Sequence, residues 1–455
     1  MTALVNRITN LDIPYVTELL PIALSLEEQN ERVQEVIAAM NSRRNGGNTV
    51  EPNVRRMLGQ MRRVEAPIFI AKRRPSETAD TKGNPVMDCP LLLTPDGNFI
   101  LLTSKRRGFE QIGVGRAKKV KTCVDEHLKI CALAVCRELV NRPVAWASAL
   151  SEVDNMRKMK GRSRVIQLTT ACLRKTDKGN KLYIVMDLCN RGDVLNAIRN
   201  EAPAPRLDRL TRKEILQLLS DSAEGVAQIH EAGLTHNDLS APNVLLRDEE
   251  GRVRAVIGDL GFACDEREMS VEKLRRYTPT WSSPEKAQAL LNNHQRSDDA
   301  AVLGLRRATT QQSDIFSLGL IAFALVSTGQ PLDHQCGNEE LEELELELEL
   351  LESTAKLTDS EIDRDIQRLL GRAQRSPELQ MIRRMLSVDP RNRPSANDAF
   401  QEFQHLLWQV VEQEKRIRQR VSLAQEPVAV QPPPVENGDD LSGIKEMFEQ
   451  ALNLN

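Results

Sequence analysis

The spacing of apolar positions changes character near residue 190. From Pro90 to that point they come in short runs: Leu91-Leu92-Leu93, Phe99-Ile100-Leu101-Leu102, Lys129 to Cys136 and Leu182 to Leu188. Runs of this length between turn-forming residues read as strands. One amphipathic stretch, Val144 to Met159, interrupts them and reads as a helix. After Asn190 the spacing becomes mainly helical. A strand-rich first part with one helix, followed by a helix-rich second part, predicts an α+β protein of two lobes with a cleft between them.

The flanks follow other patterns. Residues 1–72 read as a helical N-terminal extension: Thr17 to Met40 has apolar residues at helical spacing, and Asn45-Gly46-Gly47-Asn48 ends it. Residues 73–89 are polar and turn-rich and read as a linker. The main domain is expected over 90–410, with lobes at 90–189 and 190–410. Two stretches inside it look inserted, about 286–312 and 338–354. The first is polar and poor in large apolar residues. The second contains NEELEELELELELLE over 338–352, an acidic and solvated arm. Helix is favoured over strand there, because Glu and Leu are both strong helix formers. The remainder, 411–455, is a C-terminal helix, an extended Pro-rich linker at 425–439, and a short amphipathic helix over Asp440 to Leu454.

Composition narrows the classes. The chain has 455 residues, 40% of them apolar, enough for a sizeable core. Net charge is 62 − 65 = −3 and aromatics are 3%, so neither nucleic acid nor an anionic membrane is an expected partner. The eight cysteines form no CxxC pair and do not cluster with histidines, which predicts reduced thiols and a cytoplasmic setting. The longest apolar candidate, Leu318 to Val326, is too short to span a bilayer. Protein partners are assigned to the N-terminal helices, the acidic arm and the C-terminal tail.

The richest chemistry lies in His236-Asn237-Asp238-Leu239-Ser240-Ala241-Pro242-Asn243, with Asp259-Leu260-Gly261 beyond it. Val244 to Leu246 reads as a strand, Arg247 to Arg252 as a turn, and Val253 to Ile257 as a second strand ending at Asp259. A hairpin of that kind brings Asp238, Asn243 and Asp259 to one cleft. Oxygen ligands of this sort suit magnesium, which keeps phosphate and water ligands.

The stretch resembles the catalytic and metal-binding loops of the eukaryotic-type (Hanks-type) serine/threonine protein kinases. Three later segments are similar to that family in order and spacing: Tyr277-Thr278-Pro279-Thr280-Trp281-Ser282-Ser283-Pro284-Glu285, Asp314-Ile315-Phe316-Ser317-Leu318-Gly319, and Asp389-Pro390-Arg391-Asn392-Arg393-Pro394-Ser395. The resemblance implies ATP and magnesium as cofactors and a protein substrate. It implies Asp238 as the base, and Asn243 and Asp259 as metal ligands. It also implies that Glu285 pairs with Arg393 and that Asp314 braces the catalytic loop. Tyr183 to Asp193 resembles the strand and hinge that hold adenine. There Met186 would be the gatekeeper, the backbones of Asp187 and Cys189 would bond the base, and Asp193 would reach the ribose.

The first lobe departs from the family. Gly113-Val114-Gly115-Arg116-Ala117-Lys118-Lys119-Val120 resembles the glycine-rich phosphate loop, with Gly113, Gly115 and Val120 in place and Lys118 at the third glycine. Ala132-Leu133-Ala134-Val135 resembles the strand of the phosphate-binding lysine, and Ala134 stands where that lysine belongs. Glu152 keeps the place of its helix partner. The with-no-lysine kinases relocate the lysine to the glycine loop in the same way, which makes Lys118 the candidate substitute. Lys129 is the weaker one. On the other reading the protein is a pseudokinase, a binding scaffold of little or no activity.

Two more departures fall in the catalytic loop. Asn237 replaces an arginine that docks a phosphorylated activation loop, so activity is not expected to depend on phosphate through that contact. Ser240 replaces the lysine that neutralises the transferring phosphate. The Asn237 variant also resembles some secreted kinases of bacterial pathogens, which would place the protein in a host cell, and more loosely small-molecule phosphotransferases. Thr278 argues for serine or threonine acceptors. The segment Thr278 to Glu285 and the Asp314 helix argue for a protein substrate.

Overall fold

The computed structural model describes residues 68–70, 91–94, 96–101, 113–114, 118–125, 129–138, 143–174, 179–265, 270–275, 277–295, 298–337, 342–371 and 376–425. Of the helical extension expected over 1–72, the described residues are Ile68–Ile70, and they form a strand instead, because this apolar run pairs with Leu91–Leu93; the rest of the extension, the 73–89 linker, Gly115, the Pro-rich linker and the last short helix lie outside the described residues. The chain divides into two compact units, 1–408 and 409–455. Of the second, the described residues are the C-terminal part of the last helix.

Eight strands form the sheet of the first lobe. They are β1 (Ile68–Ile70), β2 (Leu91–Leu93), β3 (Asn98–Leu101), β4 (Gly113–Val114), β5 (Lys118–Val124), β6 (Ile130–Arg137), β7 (Leu168–Arg174) and β8 (Lys181–Asp187). Helix α1 (Pro143–Lys158) packs on β6, β7 and β8. Strands run in the order β1-β2-β3-β5-β6-β8-β7, and β4 pairs with β5. All these pairings are antiparallel. Leu92, Phe99, Leu101, Leu133, Tyr183 and Val185 fill the core of this lobe. Two cysteines, Cys123 and Cys131, face each other across β5 and β6, yet both are free thiols.

The second lobe is helical. It begins with α2 (Val194–Ile198) and α3 (Arg212–Glu231), where Thr211 and Glu214 form a capping box. Short strands β9 (Leu234–Thr235) and β12 (Cys264–Asp265) pair with each other. Between them lies the hairpin of β10 (Val244–Glu249) and β11 (Arg252–Ile257). A longer turn was expected here. The strands instead meet through Glu250 and Gly251 alone, both at positive φ (54° and 78°). That is the two-residue turn whose twist matches flanking strands. Then come α4 (Val271–Leu274), α5 (Pro284–Gln295), α6 (Asp299–Ala308) and α7 (Gln311–Val326). The last of these is buried from Ser313 to Leu325 and forms the lobe's central helix. Helices α8 (Glu343–Ala355), α9 (Asp359–Leu370), α10 (Pro377–Met385) and α11 (Ala396–Gln425) complete the described chain.

The two segments read as inserted are folded into this lobe. Residues 286–312 supply most of α5 and all of α6, and the acidic arm is α8. Leu290 of α5, Leu305 of α6 and Leu351 of α8 share one cluster with Cys264, Leu274 and Ala287. The arm is thus not simply solvated: Leu350, Leu351 and Thr354 are buried, while Glu343, Glu345, Glu349 and Glu352 lie in a helix whose polar side stays exposed or half-exposed. Among the described residues no helix is long and apolar enough to cross a membrane.

Candidate functional site

The site begins with strand register. Lys118 opens β5 opposite Cys136, and Val120 lies opposite Ala134 on β6. Positions 118 and 120 share one face of the sheet, as do 136 and 134, because side chains alternate along a strand. A lysine at 118 therefore leaves the sheet on the face where a lysine at 134 would. Its stem reaches α1, where Lys118 Nζ donates to Glu152 Oε1 at 2.7 Å. The same ammonium lies 3.4 Å from Asp259 Oδ1. Burial alone would pull the Lys118 ammonium down, but the Asp259 and Glu152 carboxylates outweigh it and hold its pKa above the usual lysine range. Burial pushes the Glu152 carboxyl up, against the pull of Lys118. For Asp259 the balance is reversed: burial opposes, and the Lys118 charge holds it below the usual range. The weaker candidate, Lys129, is committed elsewhere, 2.6 Å from Asp187 Oδ1 at the hinge.

Asp259 sits at φ 54°, a left-handed conformation that aspartate tolerates better than most residues. The turn after it packs tightly on α1: a Cβ at Gly261 would run into Ser148 Oγ. Asn155, one turn beyond Glu152, donates to the carbonyls of Leu260 (2.9 Å) and Ala263 (2.6 Å). The helix that carries Glu152 is thereby fixed to the loop that carries Asp259.

The catalytic loop is pinned from beneath. Asp314, at the start of α7, accepts from the backbone N–H groups of His236 (2.7 Å) and Asn237 (3.0 Å), and lies 3.0 Å from His230 Nε2. His236 Nε2 meets the Gly258 carbonyl at 3.0 Å, joining this loop to the metal loop. Asn243 Nδ2 donates to the Asp238 carbonyl at 2.8 Å, so its amide oxygen is the ligand atom it can offer. Asp238 Oδ1 accepts from Thr278 Oγ1 at 2.8 Å. Arg393, fully buried, forms a two-pronged pair with Glu285, both distances 2.7 Å. The brace by Asp314 and the Glu285–Arg393 pair are both those the sequence predicts.

At the hinge, Met186 is buried between Ala132 of β6 and Leu168 of β7. The Asp187 N–H is taken by the Gln167 carbonyl at 3.0 Å, so an adenine contact there would use the Asp187 carbonyl. Cys189 is half-buried, and burial pushes its thiol up to about 12. Asp193 caps α2, accepting from Asn196 N at 2.8 Å, which fixes its carboxylate beside the hinge. Gly113 pairs with Val120 across β4 and β5.

The model of the protein kinase domain matches residues 107–404 of this chain. The chain belongs to the protein kinase family. Curated relatives of this chain include the Drosophila melanogaster ovarian-specific serine/threonine-protein kinase Lok, 25% identical over 50% of this chain and 40% of its own length. Human serine/threonine-protein kinase 16 is 26% identical over 46% of this chain and 64% of its own. The Emericella nidulans calcium/calmodulin-dependent protein kinase cmkB is 23% identical over 64% of this chain and 67% of its own. The match thus spans less than two thirds of the Drosophila and human relatives.

Two residues of the site, Lys273 and Lys286, were not singled out from sequence. Lys273 Nζ donates to Ser151 Oγ (2.7 Å) and to the Ala263 carbonyl (3.2 Å). Asn237 Nδ2 donates to the Lys273 carbonyl at 2.7 Å. Lys286 Nζ donates to the Asn237 carbonyl (2.6 Å) and to Asn237 Oδ1 (2.8 Å). A signal for Lys286 existed. It shares the buried stripe of α5 with Ala289, Leu290 and Asn293, and a lysine on a buried stripe needs a partner.

Proposed function

We propose that this protein is an ATP- and magnesium-dependent kinase that transfers the γ-phosphate to serine or threonine hydroxyls of protein substrates. The observation that carries this reading is the placement of Lys118, 2.7 Å from Glu152 and 3.4 Å from Asp259. A lysine held by a buried glutamate beside a metal-loop aspartate is the arrangement that binds ATP phosphates in this fold. Lys118 thus does the work expected of residue 134. In this reading Asp238 takes the proton of the acceptor hydroxyl as the new oxygen–phosphorus bond forms and the bond to the departing diphosphate breaks. Its hydrogen bond from Thr278 supports the role, since the carboxylate already accepts from a hydroxyl.

Gly113, Gly115 and Val120 would cover the phosphates. The Asp187 carbonyl and the Cys189 backbone would hold adenine, and Asp193 the ribose. Asn243 and Asp259 would hold magnesium, which when bound shields the phosphate charge. Among the described residues no cluster of three or more histidine, cysteine or acidic side chains could hold a metal alone. A site of two protein oxygens still suits magnesium, which completes its shell with phosphate and water.

The second reading, a pseudokinase scaffold, draws on Ala134 and Ser240, both buried and neutral where the family carries lysines. Partner contacts through 1–72, the outer glutamates of α8 and the C-terminal tail belong to either reading, as does a cytoplasmic location. Label transfer from ATP to a generic basic substrate, with and without magnesium, separates the two. The kinase reading expects magnesium-dependent transfer that Asp238→Ala abolishes. No transfer by the wild type, with Asp238→Ala indistinguishable from it, supports the scaffold.

A further inference from the structure

The catalytic loop lacks, at Asn237, the arginine that would dock a phosphate of the activation segment, 259–285, yet that segment is tied down at both ends. Asn237 is 3% exposed and its backbone is left-handed, φ 68°. Every polar group it has is used. Its N–H goes to Asp314, its amide nitrogen to the Lys273 carbonyl, and its two oxygens to the Lys286 ammonium. Lys273 continues the chain of bonds to Ser151, the neighbour of Glu152 on α1, and to Ala263 in the metal loop. Lys286, 5% exposed, closes it from α5. One connected path therefore runs from the helix of Glu152, through the activation segment, to the residue preceding Asp238. It contains two ammonium groups, an amide and a hydroxyl, and its donors are met by carbonyl, amide and hydroxyl oxygens rather than by a phosphate.

We propose that Lys273 and Lys286 are positioning residues that clasp the activation segment around Asn237, setting Asp238 and Glu152 in register without phosphorylation. This rests on the kinase reading given above. It goes beyond the loss of arginine at 237 by naming what replaces it. A buried lysine costs solvation unless its donors are met, and Lys286 meets them on the loop that carries the base. The cation that other family members place on the loop comes here from the helix below it. Lys273 takes the bridging place between α1, the metal loop and the catalytic loop with a donor instead of an acceptor. A shift of about 1 Å in such a frame is enough to slow transfer by about a hundredfold.

The test has two independent arms on the full-length protein. In the first, transfer to a basic substrate is measured for phosphatase-treated wild type, with mass spectrometry verifying that Ser270, Tyr277 and Thr278 carry no phosphate, and for Lys273→Met and Lys286→Met. The expected result is full activity in the dephosphorylated wild type. In both variants kcat falls about tenfold or more while KM for ATP is unchanged; a loss of folded protein gives the same split, and the second arm separates the two. In the second arm, amide hydrogen exchange is followed over residues 270–285. The variants are expected to exchange about tenfold faster there than the wild type, with α3 and α7 unchanged. If Lys286→Met does not fold, Lys273→Met, in the short α4 segment, carries both arms. Dephosphorylated wild type that regains activity only on phosphorylation overturns the clasp. So does exchange in the variants that matches the wild type. Wild type that transfers nothing sinks the kinase reading, whereas the exchange arm still decides whether the clasp exists.

Discussion

Two regions of this protein use buried ion pairs of the same chemistry for opposite ends. In the first lobe, Lys118 faces Glu152 and Asp259 across the cleft. In the second, Arg393 faces Glu285 beneath the activation segment. Arg393 has all its donors met inside the protein: besides Glu285 it bonds the carbonyls of Ser387, Gln312 and Val388, and it stacks 4.9 Å over the ring of Phe316. Lys118 is different. Its side chain keeps 22% of its exposure, and its two carboxylate partners hold it at the cleft wall. A saturated pair supports folding, and a pair left open to the cleft is placed to meet a ligand. The contrast separates a charge saturated inside the fold from one left open to the cleft, without reference to sequence motifs.

The largest expected effect tests the saturated pair. Arg393→Ala leaves Glu285 half-buried and unpaired, and should cost about 3–5 kcal/mol of stability, read as the midpoint of urea unfolding. Lys118→Met should cost far less by the same measurement while removing activity. If the two variants lose similar stability, the contrast between the regions fails.

A smaller effect comes from His334, which is 5% exposed with neither ring nitrogen hydrogen-bonded. Burial lowers its pKa from 6.5 to about 4, against the pull of Asp333 and Glu361. The unfolded chain then binds a proton that the folded chain refuses, so this contribution is constant above about pH 6.5 and stability falls as pH drops toward about 4. The loss approaches about 3 kcal/mol at the acid end. His334→Phe should flatten that part of the slope, as seen by comparing unfolding midpoints of both proteins at pH 7.5 and pH 5. Identical pH slopes for the two would remove His334 from the account. The smallest effect belongs to exposed charge. Lys356 and Glu352, 3.2 Å apart at the end of α8, are both largely exposed. Lys356→Ala should move stability by about 0.5 kcal/mol or less, a baseline for the buried pairs.

The first lobe was the more legible from sequence. The apolar runs located β2, β3, β6 and β8 to within a residue or two but not β1, β4, β5 or β7, and the resemblance to the with-no-lysine kinases pointed from the vacancy at Ala134 to Lys118, which the strand register places on the same face of the sheet. The second lobe was legible at its motifs, where Asp314, Glu285 and Arg393 hold the partners predicted for them. It was less so between them. Residues 286–312 looked like an insertion because few of their positions are large and apolar, and the Glu/Leu run because it is acidic and low in complexity. Yet three leucines, one from each of α5, α6 and α8, suffice to seat those helices on Cys264 and Leu274. The partners of Lys273 and Lys286 were not legible, although a lysine on the buried stripe of α5 signals that Lys286 has one. The bonds join residues 36 and 49 positions from Asn237, through backbone carbonyls that no side-chain pattern records.

The most direct test of the central claim is magnesium-dependent transfer from ATP by the wild type, by Lys118→Ala, and by Lys118→Ala carrying Ala134→Lys. The account predicts that Lys118→Ala lowers kcat by about 10²- to 10³-fold. It also predicts that a lysine at 134, on the same face of the sheet, restores most of the loss. Lys118→Ala that transfers phosphate as fast as the wild type would contradict it.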